Sequence, residues 1–260
     1  MNKKSSILNE KLESRQKPIP NKTNVQLLQR LPKSICFIDT QTGSGTGAIF
    51  EIEEIPKYCF MITCFHVLSP DYVSDALIKF EGCERFTFKP EWIVRKSFKP
   101  EGKGDYMALV LQPEAVAFLE KQNLKFLKVK SAKVDEQIVL MGYPEAEIDN
   151  PEMCFGTGPI YNINGFTIIY SAGTGAGSSG SPLVLLTGEA IGIHRSRQDT
   201  SNIVLNIVGP ARYATSLEKI KEDLLLDFGT LVILIIRARK KGFVTIFWKV
   251  VNFNMLILLS

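Results

Sequence analysis

Gly177-Ser178-Ser179-Gly180-Ser181-Pro182 sets a serine in a glycine frame, with one glycine two positions before Ser179 and another directly after it. Gly177 lets the main chain approach a substrate carbonyl with no Cβ in the way, and Gly180 keeps the far side open. The N–H groups of Gly177 and Ser179 can then converge on one point and act as an oxyanion hole. A serine hydroxyl is a weak nucleophile at its ordinary pKa, so this chemistry needs a base and a group that orients the base. Gly/Ser runs are also common loop material, and the case therefore rests on what lies upstream. The chain has two histidines, His66 and His194. His66 follows the apolar, β-rich run that starts at Tyr58, and Ser69-Pro70 comes soon after. An imidazole at the end of a buried strand is either a base or a structural hydrogen-bonding group. Gly104-Asp105 immediately precedes the apolar run Tyr106–Leu111. Asp105 is thus a turn residue, or the carboxylate that orients the imidazole and stabilises its charged form. Asp71 and Asp75 compete for that role, but both lie within nine residues of His66, too near for a partner expected after further strands.

Taken in the order His66, Asp105, Ser179, the chain resembles the chymotrypsin group rather than subtilisins or α/β-hydrolases, which use other orders. Three more segments carry a resemblance to trypsin-like serine peptidases. Gly43-Ser44-Gly45-Thr46-Gly47-Ala48-Ile49-Phe50 is similar to the glycine-rich start of the strand that precedes the histidine. Thr63-Cys64-Phe65-His66-Val67 resembles the Thr-x-x-His-Val motif, and Gly142-Tyr143-Pro144 the Gly-x-Pro segment that opens the second barrel. The resemblance spans residues 33–225. It implies an all-β fold of two antiparallel six-stranded β-barrels with the site in the cleft between them, then a C-terminal helix and an apolar tail. It also implies a serine endopeptidase acting on protein or peptide substrates through an acyl-enzyme, with His66, Asp105 and Ser179 catalytic and Gly177 and Ser179 forming the oxyanion hole. The alternative is an inactive trypsin-like chain that binds a protein partner. Such chains usually lose the serine or the histidine, and both motifs are intact here.

Departures from secreted trypsins narrow the resemblance. Ser178 stands where those enzymes carry the Asp that captures a newly cut N-terminus, so that switch is expected to be absent. Val67 stands where they carry a disulfide-forming Cys. In these respects the chain looks more like the glutamyl-endopeptidase, Deg-like and intracellular trypsin-like branches. Gly173 lies six before Ser179, so the acid that selects Lys or Arg in trypsin is missing. Thr174 and His194 fall at the offsets where glutamyl endopeptidases carry a Thr and a His. Gly173, Thr174 and His194 are therefore the expected substrate-binding residues. A hydroxyl and an imidazole can both donate to an acidic side chain, with Arg195 adding positive charge. An apolar pocket is the other outcome.

The elements that must position these groups are read from apolar runs and turn signals. Residues 1–24 are polar and read as a disordered arm, and residues 25–226 as the peptidase domain. The first barrel is expected over residues 34–130, with strands at Ile35–Ile38, Gly47–Ile52, Cys59–Phe65, Ala76–Phe80, Arg85–Phe88 and Met107–Leu111. A helix is expected from Pro113. The second barrel is expected over residues 134–212, with strands at Gln137–Met141, Phe166–Ser171, Pro182–Leu186, Ala190–His194 and Ile203–Val208. A closing helix over residues 216–226 starts at Ser216, with apolar residues at helical spacing.

Composition bounds the partners. At 260 residues the chain can bury a two-barrel core. Its 31 basic and 27 acidic residues leave +4, which gives no argument for a nucleic-acid surface. Five cysteines without ligand spacing, two distant histidines and unclustered carboxylates imply no metal and no cofactor. An odd thiol count, with no apolar stretch near Met1, points to a reducing intracellular compartment, cytoplasmic or nuclear. The tail over residues 227–260 is apolar apart from the basic cluster Arg237–Lys241 and scattered polar residues. Its readings are a buried appendage, an extension foreign to the native protein or, through residues 228–260, a membrane attachment, with Lys249 costing about 2.5–3.5 kcal/mol in a span.

Overall fold

β-Branched and aromatic runs set the strands, and glycines decide where two strands can pass close together. The computed structural model describes residues 31–100, 102, 104–144, 152–198, 211–228, 230–238 and 244–252. The arm (1–24), the segment 25–30 and the strand expected at Ile203–Val208 lie outside these described residues.

The first sheet is built from β1 (Ile35–Thr40), β2 (Gly43–Glu51), β3 (Cys59–Thr63), β4 (Leu77–Phe80), β5 (Ile93–Lys99) and β6 (Tyr106–Leu111). They run in the order β4-β1-β2-β3-β6-β5, with a short β7 (Leu127–Lys128) paired parallel to β2. β3 and β6 are buried along their whole length and hydrogen-bond to each other. Between them they carry the chain to His66 and away from Asp105. α1 (Pro113–Lys121) starts with Pro at its first turn and buries Ala115 and Leu119, one helical turn apart.

The second sheet closes on itself as β10-β13-β12-β11-β8-β9. Its strands are β8 (Gln137–Gly142), β9 (Cys154–Asn164), β10 (Thr167–Tyr170), β11 (Pro182–Leu185), β12 (Ala190–Gln198) and β13 (Ala211–Ser216). Alternation splits β8 and β11 between two cores. Ile138, Leu140, Leu183 and Leu185 fill the second barrel, while Val139, Met141 and Val184 pack with the first. The two sheets are therefore one folded body with a shared apolar seam. Together they form the two-barrel, trypsin-like architecture expected from sequence.

α2 (Leu217–Asp227) follows β13 and buries Leu217, Ile220 and Leu224. It also reaches back to the first sheet. Tyr106 Oη donates to Asp223 at 2.8 Å, Ser97 Oγ donates to Asp227 at 2.5 Å, and Lys99 pairs with Asp223 at 2.7 Å. Beyond it, β14 (Thr230–Ala238) and β15 (Val244–Asn252) form an antiparallel pair. No described helix is long and apolar enough to cross a membrane. None of the five cysteines forms a disulfide.

Several strands depart from the sequence reading: β7, β13, β14 and β15 fall where none was expected, and two further differences have a local cause. Arg85–Phe88 was expected as a strand but makes only the isolated bridge Ile78↔Phe86, and the strand is β5 at Ile93–Lys99. β9 was not expected, because Gly156 and Gly158 make its sequence look like a turn. Those glycines are where the chain runs tight: a Cβ at Gly156 would overlap Gly173, and one at Gly158 would overlap the carbonyl of Ser171.

Candidate active site

β3 ends at Thr63, and the chain then turns so that His66 leaves the apolar layer with its side chain 31% exposed. Asp105 sits at the start of β6 and is 4% exposed. Its φ of +49° is left-handed, a conformation in which Asp is more tolerated than most residues. Asp105 N–H donates to Pro100 O at 3.2 Å, and Thr215 Oγ1 donates to the carbonyl of Gly104. These bonds fix the turn, and the carboxylate meets His66 with both oxygens. Asp105 Oδ1 accepts the His66 backbone N–H at 3.2 Å, and Oδ2 lies 2.8 Å from Nδ1. A carboxylate accepts, so Nδ1 carries the proton and Nε2 is left as the basic nitrogen. Cys64 is the third member of a cluster whose ligand-type atoms lie within 4.8 Å of one another. Its Sγ donates to His194 O at 3.1 Å, and the other two members already share a hydrogen bond.

The Gly177–Pro182 loop docks against this strand end. Thr46 N–H donates to Ser179 O at 2.8 Å, and Gly180 N–H donates to His194 O at 2.7 Å. The carbonyl of His194 thus joins Gly180, next to Ser179, and Cys64, two before His66. Gly177 and Gly180 have φ of +81° and +86°. A Cβ at Gly180 would also overlap the carbonyl of Thr46 and the hydroxyl of Thr63, so glycine is required there twice over. Ser178 is buried and caps its own turn: Gly175 N–H donates to Ser178 Oγ at 3.0 Å, and Ser178 N–H to Gly175 O at 3.2 Å. Among the described residues, no acceptor takes the N–H of Gly177 or of Ser179. Both donors are therefore left open to a further acceptor.

The expected substrate-binding residues are not gathered in one place. Gly173 and Thr174 line a cavity of about 150 Å³ with Gly142, Gly156, Ser178 and Ser181. Thr174 Oγ1 and Ser181 Oγ are buried there without a protein partner. His194 is outside that lining and 3% exposed, with Nδ1 at 2.8 Å from Tyr170 Oη. Burial, then the nearby charges of Arg212 and His66, push its pKa down to about 3, so this imidazole is neutral at physiological pH. A larger cavity, about 900 Å³, is lined by residues such as Leu31, Glu51, Glu120 and Glu189 and touches none of these groups. Sequence reading gave no role to Thr46 or to the hydroxyl of Thr63, which donates to Thr46 O at 2.6 Å. The available signal was a pair of polar side chains inside fully buried strand segments.

A family profile described as a trypsin-like peptidase domain matches residues 45–193. The fold and these residues place the chain in a defined class: it belongs to the trypsin-like peptidase family. Two solved structures are similar to it, both of the Mycobacterium tuberculosis protein Rv3671c. One is a serine-to-alanine mutant from strain H37Rv in an inactive form, 17% identical, with a TM-score of 0.56 over 84% of this chain and 97% of that one. The other, described as a protease in an inactive form, is 18% identical, with a TM-score of 0.56 over 82% and 97%. At that identity they speak for the fold alone.

Proposed function

We propose that the protein is a serine endopeptidase that cleaves peptide bonds through an acyl-enzyme. The observation that carries this reading is the His66–Asp105 pair, in which one carboxylate grips both the backbone N–H and Nδ1 of the same histidine. That grip leaves Nε2 to take the proton of Ser179, whose oxygen attacks the scissile carbonyl. The N–H groups of Gly177 and Ser179 receive the negative charge that develops on the carbonyl oxygen. The imidazolium then returns its proton to the leaving amine, and water repeats the sequence on the acyl-enzyme. Unpaired Thr174 and Ser181 hydroxyls beside Gly173 support a polar subsite next to the loop. The absence of disulfides among five cysteines supports work in a reducing compartment.

A fluorophosphonate probe tests the reading. The wild type should label at neutral pH, and Ser179→Ala should abolish labelling with its unfolding transition unchanged. A folded wild type that never labels and cleaves no peptide would mean that the fold serves only to bind.

A further inference from the structure

Resting on that reading, we propose that Thr46 is a positioning residue: it clamps the Gly177–Ser179 loop so that two N–H groups face the substrate carbonyl. The pairing of β2 with β3 begins only at Ala48↔Ile62, so at Thr46 the strand edge is left for another partner. The loop takes that place, with Thr46 N–H bonded to Ser179 O. Thr46 is 0% exposed, and its hydroxyl is used in both senses. It donates to Gly177 O at 3.1 Å and accepts the N–H of Tyr143, at the end of β8, at 3.0 Å. One side chain of the first barrel therefore ties the loop to the second barrel.

The consequence lies in the peptide planes. The peptide joining Gly177 to Ser178 is held at both ends, its carbonyl by Thr46 and its N–H by Gly175 O at 3.2 Å. The next peptide has its carbonyl on the N–H of Ser181 at 3.0 Å, so the N–H of Ser179 must point the opposite way. Gly177 has no Cβ to restrict it, and with φ at +81° its flanking peptides could otherwise rotate at little steric cost. The glycine makes the loop adjustable, and Thr46 holds the peptide that lies between the one bearing the Gly177 N–H and the one bearing the Ser179 N–H. A bond to the carbonyl of Gly177 never touches the reacting atoms, so its effect must appear through the two donors.

Thr46→Val keeps the shape and removes the hydroxyl, and Thr46→Ser restores it. Steady-state kinetics on a peptide ester, the rate of fluorophosphonate labelling and the backbone amide resonances of Gly177 and Ser179 are measured on the full chain. Thr46→Val should lower kcat and the labelling rate about tenfold or more, with KM within about twofold. Thr46→Ser should recover most of the loss. The amide resonances of Gly177 and Ser179 should move or broaden in Thr46→Val and return in Thr46→Ser. Unmoved amides with wild-type kcat would overturn the clamp. If the wild type neither labels nor turns over, the peptidase reading falls, while the resonances still decide the clamp: unmoved in Thr46→Val, it is wrong. Should Thr46→Val not fold, Thr46→Cys, with its weaker donor, should fall between wild type and the tenfold loss, and wild-type kcat there would equally overturn it.

Discussion

Ser179 belongs to a loop in which nearly every position is committed. Gly177 and Gly180 supply left-handed turns, Ser178 caps the turn that starts at Gly175, and the carbonyl of Ser179 is anchored on β2. The serine is thus held by its neighbours' backbone bonds. Gly180 is the most constrained of the set, because a Cβ there meets both a left-handed φ and the oxygens of Thr46 and Thr63. Gly180→Ala should therefore cost about 1–3 kcal/mol of stability and lower activity more than that loss alone explains. Urea unfolding alongside probe labelling checks this. A variant that labels at the wild-type rate with an unchanged transition would show that the loop relaxes easily.

At the scale of elements, the barrel strands that meet the site are β2, β3, β6, β11 and β12, and the His194 carbonyl at the end of β12's regular pairing joins them. The side chain of that residue has a separate consequence. An unfolded chain binds a proton on this imidazole near pH 6.5, whereas the folded one resists protonation down to about 3. The unfolded state therefore holds more protons between those values, and stability falls as pH is lowered through the interval. Glu54 and Glu189 are held below the usual carboxylate range, chiefly by side-chain bonds to Lys221 and Thr187. Their stabilisation is present above about 4.5 and lost below it, so from pH 5 to 6.5 the imidazoles dominate, and the comparison with a His194 variant separates His194 from His66. Wild type should lose stability there more steeply than His194→Gln, by a difference in slope approaching about 1.4 kcal/mol per pH unit. Equal slopes in denaturant titrations would mean that His194 is solvated. The same strands show what was legible beforehand. β3, β6, β8 and β11 read from continuous apolar runs, and the pairing of His66 with Asp105 followed from motif order. β9 did not, because its close-approach glycines look like turn residues, and β5 did not, because its outer positions Val94, Arg95, Lys96 and Phe98 are exposed and break the alternation. Thr46 was quoted within a glycine-rich motif, but only the packing of the two barrels gives its hydroxyl its partners, the Gly177 carbonyl and the Tyr143 N–H. The burial of His194 depends on Tyr170, which is distant in sequence and meets it only through barrel closure.

The whole molecule is closed by α2, which starts at the last strand of the second barrel and ends on the first sheet. Its final contacts bear on where the peptidase body ends. Arg95 Nη1 donates to Asp227 O at 2.6 Å, and Ser97 Oγ bonds the Asp227 carboxylate. Phe228 then stacks on Tyr58 with centroids 5.4 Å apart and meets Phe60 edge-on at 6.3 Å. Sequence reading placed the boundary at residue 226, from the end of the apolar helical pattern. Because Asp227 and Phe228 make these contacts, the domain is expected to extend two residues further. A chain stopped after Phe228 should keep its unfolding midpoint and its labelling by fluorophosphonate, because α2 retains every bond to β5 and β6 named above. A chain stopped after Leu226 loses the ring and the Asp227 bonds together. The Arg95 pair is too exposed to contribute much, so the loss comes mainly from the Ser97 bond and the aromatic contacts, about 2 kcal/mol in all. Because Asp223 also holds Tyr106, the residue after Asp105, loosening the end of α2 should slow labelling as well as lower stability. Thermal unfolding and labelling of the two truncations decide the point. Equal stability in both would place the boundary before Asp227, and collapse of both would mean that the β14–β15 pair is needed to hold the peptidase body together.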